Sequence, residues 1–302
     1  MSAAHGPSST REPRAVACME VWGGSGRFSG LLSMPGNDVS VVSEPHAGGA
    51  EGGDVYYLSN CAAGSITRFV LADISGHGVE AAGIARMLRD LMRRHINTAN
   101  QTRFALELNR AFLAAADGAR FATALLATYF APTDHLVICN AGHPRPLHFS
   151  AATGEWRVLD GQSRDASTGR KAGIANLPLG IIEPTNYEQF AVRLGRDDVV
   201  LVYSDALTEA RGVDGAMLGE SGLLAEAARV DPTSPDIAER VLSAVRARTP
   251  DGIDDDATVI AIRHNAADPP APGLSAVWAA AAAMLGLGIR ESLPGSGAAQ
   301  PV

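Results

Sequence analysis

The chain has 302 residues, room for one large domain or two small ones. Lys and Arg number 25 against 33 Asp and Glu, a net charge of −8, so the basic footprint that nucleic-acid binding needs is missing. Apolar residues make up 46 %, yet no apolar run reaches the ~18 residues of a membrane span, and the start, Met1-Ser2-Ala3-Ala4-His5-Gly6-Pro7, has no signal-peptide pattern.

Cys18, Cys61 and Cys139 form no CxxC pair. That spacing suggests neither zinc nor a disulfide framework, and points to reduced thiols in a cytoplasmic protein. Residues 1–14 read as a disordered lead. Between Val16 and Val42 the apolar pieces, broken by Gly23-Gly24-Ser25-Gly26 and Pro35-Gly36, predict a strand or two with turns. Residues 45–53 are rich in Gly and Ala and read as a loop leading into Asp54.

Residues 66–74, β-branched and aromatic, predict a strand. Ile84, Met87, Leu88, Leu91 and Met92 then recur at helical spacing, and a second helix follows over about 101–117 with Phe104, Leu108, Phe112 and Ala115 on one stripe. Short runs at 121–130, 135–139, 147–149 and 156–159, separated by turn residues, predict antiparallel hairpins. A long polar loop over 160–176 precedes strands at 190–194 and 199–203. Ser234-Pro235-Asp236 reads as a helix start, with the helix running to about Arg248, and 257–263 is a last strand. Beyond it, Asp268-Pro269-Pro270-Ala271-Pro272 is a linker and 276–289 an Ala-rich appendage. This order of elements argues for an α+β fold of two stacked antiparallel sheets with helices outside.

Four acidic motifs lie at or near strand ends: Gly52-Gly53-Asp54, Asp73-Ile74-Ser75-Gly76-His77-Gly78, Ser204-Asp205 and Asp254-Asp255-Asp256-Ala257-Thr258. Carboxylates gathered beside small residues hold hard divalent cations through oxygen. Without a cation they would repel one another and lose charge. The set suggests a metal-dependent hydrolase. His77 has two open readings, a general acid or a loop residue held by hydrogen bonds. His143, in Asn140-Ala141-Gly142-His143-Pro144, could support the site, bind substrate phosphate or fix its turn.

With Phe121-Ala122-Thr123-Ala124, Pro178-Leu179-Gly180 and Thr208-Glu209-Ala210-Arg211, the ordered motifs resemble the bacterial SpoIIE-like branch of the metal-dependent serine/threonine protein phosphatases, the PPM or protein phosphatase 2C superfamily. The resemblance spans about residues 46–264. It implies a four-layer α-β-β-α sandwich in a domain over 15–264, followed by the linker and tail over 265–302. It also implies two Mn²⁺ or Mg²⁺ ions, a metal-bound water as nucleophile, and a phosphorylated regulatory protein as substrate, such as an anti-sigma factor antagonist. By motif, Asp73 should bridge both metals, with the backbone carbonyl of Ile74 on one of them. Asp205 and Asp255 should hold the other, and Asp54 should lie in or directly behind the ligand set. Asp255 is preferred to Asp256 because the family pattern is Asp-Asp-x-Thr and its first acid coordinates.

The chain departs from that pattern in three ways. Tyr57 stands where the family often has an acid. Ala206 replaces a Gly, which would strain a left-handed backbone. The stretch before Asp54 is short for the sensor domain that members commonly carry. A different class of function, a catalytically weak scaffold of the same fold that binds a signalling partner, is the alternative. A nucleotide cyclase suggested by Gly-Gly-Asp is disfavoured, because Val55-Tyr56-Tyr57 follows it.

Overall fold

The computed structural model describes residues 13–16, 21–61, 64–75, 79–94, 100–115, 121–160, 176–250 and 252–267. His77, most of the 160–176 loop, the linker and the Ala-rich appendage lie outside the described residues.

Strands whose two faces are both covered are mostly apolar, and the middle stretches of the central strands here are. Strand β6 (Ile66–Ile74) sends Phe69 and Leu71 into one core and Val70, Ala72 and Ile74 into another. Its neighbours β5 (Glu51–Cys61) and β7 (Ala122–Phe130) do the same. With β2 (Val21–Gly26), β8 (His135–Ala141) and β11 (Gln189–Arg193) they form a six-stranded sheet in the order β11-β8-β7-β6-β5-β2. The second sheet has seven strands: β1 (Arg14–Ala15), β3 (Phe28–Met34), β4 (Asn37–Glu44), β13 (Ala257–His264), β12 (Val199–Tyr203), β9 (Leu147–Ser150) and β10 (Glu155–Val158), in that spatial order. All pairings are antiparallel except β1 with β3.

Three buried clusters fill three gaps. Between the sheets lie Leu58, Phe69, Leu71, Leu125, Tyr129, Val200, Val202, Ile260 and Ile262, among others. Helices α1 (Val79–Arg94) and α2 (Gln101–Ala115) cover the six-stranded sheet through Leu88, Leu91, Phe104, Leu108 and Phe112. Helix α3 (Ala206–Glu209), α4 (Gly219–Ala227) and α5 (Ile237–Arg246) cover the seven-stranded sheet through Leu207, Leu223, Val241, Leu242 and Val245. The result is the expected four-layer α-β-β-α sandwich.

Several local expectations change. Residues 51–53 belong to strand β5, not to a loop, because they pair with β2 at Gly26 and lead into the β6 ladder. Asp54 therefore lies inside a strand. Where a strand or two was expected between Val16 and Val42, the described residues hold three, β2, β3 and β4. The α5 helix starts at Ile237, two residues later than the Pro235 signal suggests; Asp236 sits at the cap without a capping bond and pairs with Arg240 instead. Helices α3 and α4 went unforeseen. Two glycines in Gly219-Glu220-Ser221-Gly222 lower α4's intrinsic propensity, and packing of Leu223 and Ala227 holds it.

Candidate active site

Successive side chains along a strand point to opposite faces. The residues facing the inter-sheet layer can therefore be counted outward from the core. On β5 the count runs Leu58, Tyr56, Asp54; on β6 Phe69, Leu71, Asp73; on β7 Ala127, Leu125, Thr123. On the facing sheet it runs Ile262, Ile260, Thr258 on β13, and Val39, Val41, Ser43 on β4. On β12 it runs Val200, Val202 and then Ser204, just past the strand. Every run turns from apolar to polar at the same end of the sandwich.

Asp54 stands directly opposite Asp73 in the β5–β6 ladder, and Asp73 opposite Thr123 in β6–β7. Asp54 is only 2 % exposed, and its Oδ2 has no hydrogen-bond partner. Burial first, then the Asp73 charge, holds the Asp54 carboxyl well above the usual carboxylate range; the hydroxyls of Thr258 and Ser204 oppose this in part. Those hydroxyls are ordered. Ser43 Oγ and Thr258 Oγ1 are 3.0 Å apart, the Thr258 amide donates to Ser204 Oγ at 2.9 Å, and Ser204 Oγ donates to the Asp256 carbonyl at 3.1 Å.

Asp73 is pushed up to about 7, by burial and then by Asp205, Asp255, Asp256 and Glu209. Asp205 is raised by burial and by Glu209 and Asp255. It lies where β12 passes into α3. Its φ of −62° is right-handed, and Ala206 is the first residue of the helix, so the left-handed strain expected at Ala206 does not arise. Tyr57 is buried under α1 and α2, on the face of β5 away from the carboxylates. Asp255 is exposed at the site's rim, where its Oδ1 accepts the Asp256 amide at 2.7 Å.

Ile74 ends β6 with its side chain in the α1/α2 core. The Asn140 side chain clamps the turn after β8, accepting the His143 amide and donating to the His143 carbonyl, both at 2.8 Å. His143 is buried, with Nδ1 2.8 Å from Thr123 Oγ1, and burial pushes it down to about 3. It is a neutral imidazole that ties the β8–β9 connection to the site end of β7. An open groove of about 510 Å³ runs past these residues, lined by Thr123, His143, Arg145, Asp205, Thr208 and Glu209, among others.

Four participants, Ser204, Thr258, Glu209 and Asp256, lie in motifs quoted from the sequence but were given no role there. Inward parity on the strands marks the first two, and Glu209 follows Asp205 by one helical turn. Asp256 is the second acid of the Asp-Asp-x-Thr pattern, passed over as a ligand in favour of Asp255. Its carboxylate accepts the amides of His46 at 2.6 Å and Gly53 at 2.5 Å.

No three His, Cys, Asp or Glu side chains among the described residues converge as a finished ligand cage. The donors gathered here are nonetheless all oxygen, they raise one another's proton affinity, and the deepest keeps an unpartnered oxygen. That set fits hard divalent cations such as Mg²⁺ or Mn²⁺ and does not suit zinc.

The crystal structure of the RsbU and RsbW domains of a Mycobacterium tuberculosis protein is similar at 25 % identity and a TM-score of 0.65, over 82 % of this chain and 64 % of that one. The present chain thus spans less than two thirds of that relative. The PP2C phosphatase domain of SpoIIE from Bacillus subtilis, with a fragment of its regulatory domain, agrees in fold at 16 % identity and a TM-score of 0.59, over 75 % of this chain and 63 % of that one. RsbX in complex with magnesium also agrees in fold, at 15 % identity and a TM-score of 0.56, over 79 % of this chain and all of that one. Residues 64–265, two thirds of the sequence, match the model of the Stage II sporulation protein E family. The chain belongs to the SpoIIE family, a branch of the PPM-type serine/threonine protein phosphatases.

Proposed function

We propose that this protein is a cytoplasmic, metal-dependent phosphatase that hydrolyses phosphoserine or phosphothreonine on a regulatory protein of a bacterial partner-switching system. The observation that carries the reading is the Asp54–Asp73 pair: two carboxylates opposed in register at the polar end of the inter-sheet layer, Asp54 buried and Asp73 half-buried, with Asp205 and Asp255 beside them. Such a concentration of mutually repelling acid is costly on its own and is relieved by cations. Asp73, the Ile74 carbonyl, Asp205 and Asp255 would hold two Mg²⁺ or Mn²⁺ ions, with Asp54 as a further ligand or directly behind one. When bound, the ions supply an acidified water and neutralise charge on the phosphoryl oxygens.

The chain's own residues do the rest. The hydroxyls of Thr258 and Ser204 face the Asp54 carboxylate, and Ser43 holds the Thr258 hydroxyl. The Thr123–His143 bond keeps the groove wall beside it fixed. The groove is open, as a site must be to admit a phosphorylated side chain on a folded partner. Cys139 is fully buried and its thiol is pushed up to about 12 by burial, so it is no thiolate nucleophile. The RsbU and RsbW domains joined in the M. tuberculosis relative support a signalling regulator as the substrate class. No helix among the described residues is long and apolar enough to cross a membrane.

The test is hydrolysis of p-nitrophenyl phosphate with Mn²⁺ and with EDTA. Turnover should require the metal. Undiminished turnover in chelator would sink the two-metal reading. No turnover under either condition, together with retained binding of a regulator, would favour the scaffold alternative.

A further inference from the structure

Asp256 adjoins a ligand candidate, but both of its carboxylate oxygens are engaged by backbone amides. One oxygen accepts the amide of His46, at the start of the connection between β4 and β5; the other accepts the amide of Gly53, the residue before Asp54. Its own amide donates to Asp255 Oδ1, and its carbonyl accepts Ser204 Oγ. One residue thus joins the β4–β5 connection, the ladder strand that carries Asp54, the end of β12 and the candidate ligand Asp255.

Gly52 completes the fit. A Cβ built there would lie 2.5 Å from the Asp256 carboxylate, and the Gly52 backbone is not left-handed. A side chain at this position would have to displace the Asp256 carboxylate, which occupies its place.

We propose that Asp256 is a positioning residue: its carboxylate clasps the 46–53 segment across the two sheets and sets the depth of Asp54 and the orientation of Asp255. It does so through backbone amides rather than by touching an ion. The inference rests on the metal-site reading above, with Asp255 and not Asp256 as the ligand. Residues that orient metal ligands typically cost 10- to 100-fold in metal affinity when changed. In Asp256→Asn one oxygen becomes an NH₂ group facing a backbone N–H, so one clasp bond turns repulsive while volume is conserved.

Two measurements on the full chain separate the clasp from the metal reading. The first is amide hydrogen exchange of the metal-free protein. The segment 46–53 should exchange at least tenfold faster in Asp256→Asn than in wild type, whether or not the protein binds metal. Wild-type protection there would overturn the clasp. The second is Mn²⁺ titration by calorimetry. Asp256→Asn should bind Mn²⁺ about tenfold more weakly with cooperative unfolding retained, and Gly52→Ala should do the same by pushing the carboxylate away. Wild-type Mn²⁺ affinity in a folded form of either variant would overturn the proposal. If Asp256→Asn fails to fold, Gly52→Ala, which keeps the Asp256 side chain but displaces its carboxylate, decides both measurements. Absence of Mn²⁺ binding in the wild type would count against the metal reading itself, and hydrogen exchange would still decide the clasp.

Discussion

Asp73 is the residue whose environment says most about its task. Its folded carboxyl titrates near 7 against 3.8 for the free side chain, first from burial and then from Asp205 and Asp255. In metal-free protein the unfolded chain has therefore lost this proton well before the folded chain does. Stability contributed by Asp73 is full below about pH 4 and falls as pH rises through about 7. Asp73→Asn removes the titration. In EDTA at pH 8 it should be more stable than wild type by on the order of 2 kcal/mol, and so melt higher. The wild-type decline in Tm between pH 4 and 7 should flatten in the variant. The same substitution should abolish Mn²⁺-dependent hydrolysis. Thermal melts across pH and a rate assay check both arms, and a variant melting lower than wild type at pH 8 would contradict the electrostatic account.

At the scale of elements, the site end of β7 is held from outside the sandwich. Leu179 and Ala122 exchange backbone hydrogen bonds at 2.7 and 2.9 Å, one residue before Thr123. Asn109, fully buried on α2, accepts the Gly180 amide at 2.8 Å and donates to the Ile182 carbonyl at 3.1 Å. One side chain thus fixes helix, loop and strand together. Asn109→Ala leaves the Gly180 amide buried and unpaired, and should cost about 2 kcal/mol. Chemical denaturation measures it. Proteolytic nicking near Ile181 and Ile182, both about half exposed, should rise with it. A change under ~0.5 kcal/mol would mean that the Leu179–Ala122 bonds and apolar contacts hold the loop without Asn109.

For the whole molecule, the sandwich is closed by β13, the central strand of the seven-stranded sheet, between β4 and β12. Its register with β4 runs through His264 opposite Asn37. Asn265 then seals the edge, donating its amide to the Gly36 carbonyl at 3.1 Å and its side chain to Asp38 Oδ1 at 3.0 Å. Truncation after Ala267 should accordingly leave both Tm and metal-dependent hydrolysis of a small phosphoester near wild type. Truncation after Arg263 removes His264 and Asn265 and should lower Tm by several degrees. Loss of soluble, active protein on the longer truncation product would place the segment beyond 267 within the core.

What the sequence by itself determined is local and periodic. Runs rich in apolar, β-branched and aromatic residues placed β6 at 66–74 and β12 at 199–203 with the bounds observed, because strands buried on both faces have a composition no loop shares. Helical spacing marked α1 and α2, and the two-sheet sandwich followed from their order. The acidic motifs were visible because charge at the end of an apolar strand is expensive and so stands out. Tertiary structure alone decided the rest. The Gly-rich run before Asp54 has loop composition, and only pairing with β2 and β6 makes it a strand. The facing of Asp54 and Asp73 is set by ladder register, which neither segment specifies alone. The Asp256 clasp spans more than 200 residues and ends on backbone amides, and every residue but proline carries an amide, so no side-chain pattern can announce it.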